Sequence, residues 1–385
     1  MLIKTSLLAT SAALLLLSAC GGSSSSDTTP SPTIVEPTGF TFDAEPMIAN
    51  ITNDIIVEGY NDLNTKAEMF HLATLSLLNS PSQATLAASQ EAWQTVRSPW
   101  EQGEAHIFGP VDALSIDPHL DTWPLNTSDL QSLLATQSGF NADVIKLFND
   151  DVQGFHTMEF LLFGDGLTDN AKAIDEMTAL EREYLAATAE VFREYTQSLY
   201  DAWTVRHDAN DLNSSAYKAF LLTPGNDVYA SQLGVVQELI NGLIGIVDEV
   251  GNGKIAEPFG SDINSTDTSL VESQYSWNSL ADFTNNIQGV HNVYLGRTSA
   301  QSSSDIGIID FIKAADSELA VRVDTEILSA INAIKAISGN NDMPFRQAIN
   351  DAEARVRVQT AIDALGVLQA SLENDVLTLL KKWNS

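Results

Sequence analysis

Long stretches with helical periodicity constrain this chain more than any other feature. Apolar residues recur every three or four positions over long runs, and no run shows the sustained alternation of a β-strand. The clearest helical segments cover residues 84–108, 141–163, 174–205, 226–250, 279–297, 317–338 and 351–383. Most of them contain no internal proline and are rich in Ala, Leu, Glu and Gln. The sequence therefore predicts an all-α fold of packed helical bundles joined by polar loops.

Residues 1–19 read as an export signal and not as part of the fold. The apolar run from Leu7 to Leu17 is too short for a permanent membrane span, and Ser18-Ala19 precede Cys20 as a cleavage site requires. Cys20 is the only cysteine, so acylation explains its position better than a disulfide does. A secretory signal with a chance cysteine is the alternative. We expect a lipoprotein of the cell envelope, and Gly21 favours transfer to the outer membrane in Gram-negative bacteria.

The rest of the chain divides into a tether and two predicted domains. Residues 20–39 are rich in Gly, Ser, Thr and Pro, which is typical of a flexible linker. The remaining length exceeds what one core usually serves, so we predict two helical bundles, residues 40–205 and 206–385. Each half contains a Trp-bearing acidic segment at a helix border, ending near Phe108-Gly109 and Leu295-Gly296. This shared pattern suggests a duplication.

The chain is strongly acidic. Lys and Arg total 19 against 51 Asp and Glu, which gives a formal net charge of -32. Such a surface repels phosphate backbones and anionic lipid headgroups, so nucleic-acid binding is disfavoured and membrane contact is left to the acyl chains. The acidity also attracts cations, although solubility alone explains it equally well.

A first candidate site lies on the predicted helix over 93–108. Helical spacing places Arg97 and Glu104 between aromatic residues, on the side expected to be buried. An unpaired buried carboxylate costs several kcal/mol, so Glu104 must meet Arg97, a metal ion or both. A structural ion pair from Arg97 to Glu104 or Glu101 is the alternative, and this segment alone does not decide between them.

A second candidate site is the pair His156 and Glu159. Three positions apart on a helix, both side chains point to one face, which they share with apolar Phe160 and Phe163. An imidazole nitrogen and a carboxylate oxygen at this spacing can ligate one metal ion, as Glu-x-x-His pairs of helix bundles do. A buried histidine that is hydrogen-bonded to a carboxylate is the more common arrangement for two such residues.

Two long irregular segments, 109–127 and 251–278, are candidates for functional loops. The first carries several aspartates, including Asp117 and Asp121, followed by Trp123. It could close over the histidine face and complete a mixed oxygen and nitrogen shell. Helix capping by Asp117 or Ser128, with Trp123 in the core, is the structural alternative, and it would account for only one of the aspartates.

Signatures of several enzyme classes are absent from the sequence. It contains no HExxH zinc-protease helix, GxSxG elbow, Walker phosphate loop or GxGxxG fingerprint. The other histidines lack an obvious ligand spacing. His106 and His119 lie close enough in sequence to the candidate residues to be further candidates.

Several segments together resemble imelysin-like proteins, which include those called iron-regulated protein A. The segments are WQTVRSPWEQGEAHIFGPV (93–111), DPHLDTWPLN (117–126) and GFHTMEFLLFG (154–164), and SLADFTNNIQGVHNVYLG (279–296) is similar to the family's second domain. The family's GxHxxE motif is matched by Gly154, His156 and Glu159. The resemblance covers most of residues 40–385.

This resemblance implies two helical bundles with a metal site at their interface. The implied ligands are Glu104, His156 and Glu159 with Asp117 or Asp121, supported by Arg97, Trp123 and Gly154. The ion would be a divalent or ferric ion, with iron favoured and zinc or calcium as other choices. The implied function is iron acquisition together with membrane proteins of an uptake system.

Two other functions are left open by the resemblance. The family was named for a metallopeptidase, so a peptidase with Glu104 or Glu159 as general base is one alternative. A component that binds a small ligand or a partner protein of an uptake complex is the second.

Overall fold

The computed structural model describes residues 39–298 and 305–384. The predicted signal peptide, Cys20 and all of the predicted tether except Gly39 lie outside the described residues. Within the two described ranges the chain is helical and has no strand, only an isolated bridge between Phe40 and Trp383. The prediction of an all-α fold is confirmed. Among the helices of these ranges, none is both long enough and apolar enough to cross a membrane.

The α-helices are numbered in chain order. The first part of the described chain contains α1 (Glu45–Asn50), α2 (Glu58–Asn79), α3 (Gln83–Gly103), α4 (Pro110–Ala113), α5 (Ile116–Asp121), α6 (Thr127–Thr136), α7 (Ala142–Ile145), α8 (Gly154–Phe163) and α9 (Ala179–Thr204). The second part contains α10 (Lys218–Leu222), α11 (Gln232–Asp248), α12 (Glu257–Phe259), α13 (Ser279–Leu295), α14 (Ile308–Ala315), α15 (Ser317–Ala336), α16 (Phe345–Ala348), α17 (Ala354–Ser371) and α18 (Leu377–Leu379).

Wider and tighter helical turns extend several of these helices. The π-helical segments are Ile51–Val57, Glu249–Ala256 and Leu372–Val376, and each joins two α-helices without a break. The 3-10 turns are Glu104–His106, Asp150–Val152, Ile174–Glu176, Thr268–Leu270 and Gly339–Asn341. Because π-helical turns often occur at functional sites, the segment that follows α11 is of particular interest.

Most of the long predicted helices are present, but the predicted segment 141–163 is not one helix. It consists of α7, a 3-10 turn and α8. The backbone at Gln153 is extended, and Gly154, the first residue of α8, has a φ of 67°, so helical geometry is interrupted where α8 begins. The apolar periodicity of the sequence therefore runs through a break in the helix, and the positive φ of Gly154 allows that break.

Helix α3 occupies the centre of the packing. It begins at a capping box in which the Ser82 side chain accepts a hydrogen bond from the backbone N–H of Thr85. Its apolar face buries Trp93 and Trp100, and aromatic side chains of this size bury roughly 150–250 Å² each. It packs against α2 and α8, and also against α13 from the second half of the chain.

The contact between α3 and α13 is close because it is made at a glycine. A Cβ atom on Gly289 would clash with the backbone carbonyl oxygen of Gln102. This approach brings polar side chains of α3 within reach of those on α13. The predicted division into bundles 40–205 and 206–385 stays a prediction, but helices from both of these halves surround the buried charged residues.

His106 lies in the core and contacts Tyr60. Its Nδ1 is 3.2 Å from the Tyr60 hydroxyl oxygen, and the two rings meet edge to face at 5.2 Å. Burial lowers the pKa of His106 to about 4. The folded state therefore holds the neutral imidazole, whereas the unfolded chain takes up a proton near the ordinary histidine pKa of about 6.5.

This histidine should make the protein sensitive to mild acid. A lowered pKa contributes stability that is fully present above pH 6.5 and is lost as the pH falls towards 4. Between pH 7 and pH 5 we expect the wild type to lose about 2 kcal/mol more unfolding free energy than His106→Gln does. Urea unfolding of both proteins at the two pH values measures this difference, because the other titrating groups are common to both. Parallel pH dependences would contradict the prediction.

Candidate functional site

The last turns of α3 and the 3-10 turn that continues it carry three charged side chains into the protein interior. Arg97, Glu101 and Glu104 follow one another at spacings of four and three residues, so they share one face of the helix. Arg97 and Glu101 are fully buried, and Glu104 is 7% exposed. Arg97 and Glu101 form an ion pair with each other. The burial expected for Arg97 and Glu104 is therefore present, and Glu101 belongs to the same cluster.

Arg97 is surrounded by carboxylates from four parts of the chain. Its Nη1 donates to Asp121 at the end of α5 at 2.5 Å, and its Nη2 donates to Glu272 in the loop before α13 at 2.7 Å. Asp282 of α13 lies 3.4 Å from Nη2, and Glu101 completes the set. Although burial acts to lower it, the surrounding carboxylates hold the pKa of Arg97 well above its usual value. Arg97 is thus a permanent cation that ties α3, α5 and α13 together.

His156 of α8 faces the same carboxylates. Its Nε2 lies 3.0 Å from Asp121 Oδ1 and 3.9 Å from Glu272 Oε1, and its Nδ1 lies 3.1 Å from Glu159 Oε2. The indole of Trp123 covers the imidazole at a ring distance of 4.6 Å. Burial acts to lower the pKa of His156, but the hydrogen bonds to Asp121 and Glu159 outweigh it and raise the pKa to about 9. At neutral pH the imidazole is therefore in its protonated, positively charged form, and a bound cation would replace one of its two ring protons.

Glu159 lies behind the imidazole and holds it in place. Its Oε1 accepts hydrogen bonds from the backbone N–H groups of Tyr275 and Ser276 and from the Ser276 hydroxyl, at 2.7–3.0 Å. Its other oxygen faces His156 Nδ1. Both oxygens are thus engaged with protein groups, and His156 Nε2 is the atom of the GxHxxE motif that faces Asp121 and Glu272. Direct coordination by Glu159 stays a prediction.

Lys254 brings a second permanent cation into the cluster from the π-helical segment after α11. Its Nζ lies 2.8 Å from Glu104 Oε2 and 3.1 Å from Glu272 Oε2, with Glu101 Oε2 at 3.5 Å. The Asn286 amide donates to both Glu101 and Glu104 at 2.6 Å. Burial raises the pKa of Glu101 to about 8 and that of Glu104 well above its usual value, although Lys254 opposes both shifts.

The side chains in this cluster can form two sets of metal ligands. One set is Asp121, His156 and Glu272, the other is Glu101, Glu104 and Asp121, and the potential ligand atoms within each set lie within 4.8 Å of one another. Asp121 belongs to both. Burial acts to raise the pKa of Asp121, but the positive charges of Arg97 and His156 outweigh burial and lower this pKa. Asp121 is therefore ionised and ready to accept a cation.

The cluster holds more carboxyl groups than cations. Its cations are Arg97, Lys254 and the protonated His156, whereas the buried carboxyl groups around them are Glu101, Glu104, Asp121, Glu159, Glu272 and Asp282. The Asn286 side-chain oxygen is also buried and, within the described part of the chain, finds no hydrogen-bond donor. A donor set of carboxylate oxygens and one imidazole nitrogen fits a divalent or ferric ion, and such an ion would take the place of protons held by groups with raised pKa values.

An open cavity of about 460 Å³ lies beside the cluster. Glu104, Asp121, Trp123, Lys254 and Glu272 line it. The cavity gives solvent and small ions access to one side of the buried charges.

Asp117 lines the same cavity but does not belong to either ligand set. Burial, followed by the nearby charge of Asp121, raises the pKa of Asp117 to about 6. The structure therefore brings Asp121, and not Asp117, into contact with His156 and Arg97.

The predicted site residues mostly converge, and further residues join them. Glu104, Asp121, His156 and Glu159 meet in one cluster with Arg97 and Trp123, while His106 and His119 pair with Tyr60 and Asp150 instead. Sequence reasoning did not identify Lys254, Glu272, Asp282 or Asn286. The available signals were weak. Lys254 and Glu272 lie in the irregular segment 251–278, which was a candidate loop as a whole. Asp282 and Asn286 are polar residues four apart on an otherwise buried helix face.

Gly154 of the GxHxxE motif sets the distance between α8 and the Asp121 loop. Its φ is 67°, and a Cβ atom there would clash with the backbone carbonyl group of Leu120. Any side chain at this position would push away the residue that precedes Asp121. The glycine therefore allows His156 and Asp121 to meet.

We expect Gly154→Ala to destabilise the protein by about 2–4 kcal/mol, since it adds a backbone clash to an unfavourable φ. Gly164 offers a matched control at the other end of α8, because its φ is 83° but a Cβ there would meet nothing within 4 Å. Gly164→Ala should cost only about 1–2 kcal/mol. Denaturant unfolding of the two variants measures the difference, and equal losses would show that the contact with Leu120 does not matter.

The fold and this site define a class of all-helical proteins in which a GxHxxE helix meets acids from distant parts of the chain. The family model described as Imelysin matches residues 56–372. The chain belongs to the imelysin family.

Individual relatives agree with this assignment. The chain is 27% identical over 336 residues to iron-regulated protein A of Synechococcus elongatus, covering 87% of this chain and 86% of the relative. The crystal structure of a candidate iron-regulated protein A precursor from Parabacteroides distasonis has a TM-score of 0.76 and 28% identity, and the match covers 90% of this chain and 97% of that one. An imelysin-like protein from Psychrobacter arcticum shares the fold, with a TM-score of 0.67, 13% identity and coverage of 89% and 98%.

Proposed function

We propose that this protein binds a metal ion at the buried cluster and that the ion is iron, bound as cargo during iron acquisition. The observation that carries the proposal is the convergence of His156 Nε2 with Asp121 and Glu272 oxygens within 4.8 Å, inside a cluster with excess carboxylates. Iron is favoured over zinc or calcium because two similar proteins bear the name iron-regulated protein A. The set contains no thiolate, which suits ferrous or ferric ions.

The residues of the cluster would divide the work of binding. His156 and Asp121 would provide the nitrogen and the first carboxylate, and Glu272 the second. Glu104, which lines the cavity, would add an oxygen from the solvent side. Glu159 would orient the imidazole, because a carboxylate that hydrogen-bonds to a ligating histidine fixes its ring position and its protonated nitrogen.

The proposed function also implies a location at the cell envelope. We infer that Cys20 carries the lipid anchor, so that the protein is held at the envelope, with the outer membrane favoured, and passes its cargo to membrane proteins of an iron-uptake system. Residues 20–39 would then act as the tether. Growth with labelled palmitate tests the anchor, since labelling of the wild type that persists in Cys20→Ser would remove this part of the proposal.

Calorimetric titration with ferric, ferrous, zinc and calcium ions tests the metal site. We expect the double variant His156→Ala with Glu159→Ala to lose at least about 100-fold in affinity for the ion that the wild type binds best. His119 and Asp150 form a similar histidine and acid pair, with Nδ1 2.6 Å from Oδ1, away from the cluster. Replacing both with alanine should leave affinity unchanged. Metal binding that survives in the first double variant would refute the proposed site.

A metallopeptidase of the imelysin type is the second candidate, favoured by the family match and by the open cavity beside the ligands. A bound ion would supply Lewis acidity in such a reaction. Glu104 is better placed than Glu159 to act as general base, since it lines the cavity while both oxygens of Glu159 are engaged. Glu104→Gln should then retain metal and stop cleavage of a peptide mixture that the wild type cleaves. Absence of cleavage by the wild type loaded with each ion would exclude this candidate.

The third candidate is a component that binds a small ligand or a partner protein through the same polar residues. The ion pairs that Arg97 and Lys254 make with the carboxyl groups support it, since Lys254, which lines the cavity, could turn to recognise a carboxylate ligand. Calorimetry distinguishes this candidate from a metal site. If the third candidate is right, metal ions produce no heat of binding that disappears when His156 is replaced.

A further inference from the structure

We propose that Lys254 is an internal counter-cation that occupies the carboxylate cluster in the metal-free protein and that an incoming metal ion must displace. This inference rests on the proposed metal site and concerns how that site is controlled. It assigns to Lys254 a role in setting the affinity of the site and its preference for multivalent ions.

The Lys254 ammonium lies where a metal ion would find oxygen ligands. Its Nζ is within 2.8–3.5 Å of oxygens from Glu104, Glu272 and Glu101. These carboxylates belong to the two potential ligand sets, which share Asp121. An ammonium and a metal ion are both cations bound by carboxylate oxygen, so they compete for Glu104 and Glu272.

Lys254 can leave the cluster, whereas Arg97 cannot. Arg97 is fully buried and meets four carboxylates. The Lys254 side chain is 9% exposed and lines the open cavity, so its four-carbon stem has space to turn.

A second carboxylate at the cavity wall can pair with the Lys254 ammonium after displacement. Glu249 Oε1 is 4.0 Å from Nζ, and the Glu249 side chain is 58% exposed. Movement of Nζ towards Glu249 would exchange buried carboxylates for an exposed one, so the charge of Lys254 stays paired while Glu104 and Glu272 become available. Both residues lie on the π-helical segment Glu249–Ala256.

The exchange favours ions with more than one charge. A monovalent ion would only replace the single positive charge of Lys254, which the chain already holds in place. The ion would also have to lose its own hydration. A divalent or trivalent ion adds charge to a cluster in which carboxyl groups outnumber Arg97 and Lys254. The tethered ammonium thus disfavours sodium and potassium more strongly than it disfavours multivalent ions.

Titration of the full-length protein with ferrous ion without oxygen, and with zinc ion, tests this role. We expect Lys254→Met to bind the ion at least about tenfold more tightly than the wild type, because the internal competitor is gone. Lys254→Arg keeps a competing charge and should bind no more tightly than the wild type. Lys172→Met is the matched control, since Lys172 is a lysine of similar exposure, 8%, whose Nζ pairs with Glu181 outside the cluster.

A small-ion experiment separates competition from a structural effect. In Lys254→Ala, replacing sodium chloride with ammonium chloride at equal concentration should weaken metal binding, because free ammonium can enter the vacated position. The same replacement should leave the wild type unchanged. A structural role for the lysine stem would not produce this difference.

Chemical labelling of the wild type tests the movement even where a variant fails to fold. Acetylation of Lys254 by acetic anhydride, followed by mass spectrometry, should increase on metal binding, while acetylation of Lys172 stays constant. Metal binding by the wild type with equal or weaker binding by Lys254→Met, or with unchanged Lys254 labelling, would overturn the inference and leave the proposed function intact. Failure of both wild type and Lys254→Met to bind either ion would overturn both.

Discussion

Replacement of Arg97 with methionine is expected to destabilise the protein by about 3–5 kcal/mol, the loss typical of removing one partner from a buried ion pair. Methionine has a similar volume but no charge and no donors. Asp121 and Glu272 would lose hydrogen bonds of 2.5 and 2.7 Å, and Asp282 and Glu101 would lose their nearest cation. The carboxylates would remain buried, so the change removes attraction without removing the desolvation cost.

The loss should depend on pH in a direction that the ion pairs determine. Arg97 helps to lower the pKa values of Asp121 and Glu272 in the folded protein, although burial opposes this. A lowered pKa contributes stability above the unfolded value near 4, and that contribution is lost as the pH falls. Without Arg97 these groups bind protons more readily when folded. The stability gap between wild type and Arg97→Met should therefore be larger at pH 8 than at pH 5.

Denaturant unfolding at both pH values measures this gap, and Arg97→Lys provides the control. Lysine keeps the charge but has no planar fork that reaches Asp121 and Glu272 together, so its loss should be smaller than that of methionine. A loss of unfolding free energy below about 1 kcal/mol for Arg97→Met at pH 8 would contradict the prediction. It would mean that the carboxylates take up protons and are stable without the charge of Arg97.

The helical class of this protein was predictable because it follows from local periodicity. A pattern of apolar residues along α3, α9 or α15 reports a buried face whatever packs against it. Segment 141–163 shows where this reasoning fails. Its periodicity runs through Gly154, whose positive φ depends on the position of the Leu120 carbonyl, and that position belongs to another part of the chain.

The candidate site was predictable where two polar residues share a helix face. His156 and Glu159 lie on one helix, and Glu104 lies in the 3-10 turn that continues the helix of Arg97, so spacing alone indicates that each pair points the same way. The family resemblance then joined the two pairs and the aspartate loop. What spacing could not show is the hydrogen-bond geometry that makes Glu159 the support of His156 and leaves Nε2 as the atom that faces Asp121.

The residues that were missed are those supplied by long-range contacts. Lys254 reaches Glu104 across 150 positions of the chain, and Glu272 reaches Arg97 across 175. Glu257 lies three positions after Lys254, but no spacing in the sequence links Lys254 or Glu272 to α3. Their burial depends on how distant segments pack together, which is not a property of local pattern.

Asp121 is the carboxylate whose loss should harm metal binding most. It is the residue common to the two potential ligand sets, and it lies between His156 Nε2 at 3.0 Å and Arg97 Nη1 at 2.5 Å. Asp121→Asn keeps the size of the side chain and removes its charge. We expect at least about a 100-fold loss of affinity for the ion that the wild type binds best, since changes to residues that only support the ligands already cost about 10–100-fold.

A matched control separates the loss of a ligand from the loss of charge around Arg97. Asp282 is a buried carboxyl partner of Arg97 at 3.4 Å but belongs to neither ligand set, so Asp282→Asn should weaken binding by no more than about tenfold. Calorimetry of both variants at one pH, with thermal unfolding to confirm that each is folded, measures the difference. Asp121 is the better ligand because Arg97 and His156 lower its pKa, whereas burial raises the pKa values of the neighbouring Glu101 and Glu104. Equal affinities for Asp121→Asn and wild type would move the metal site away from His156 altogether.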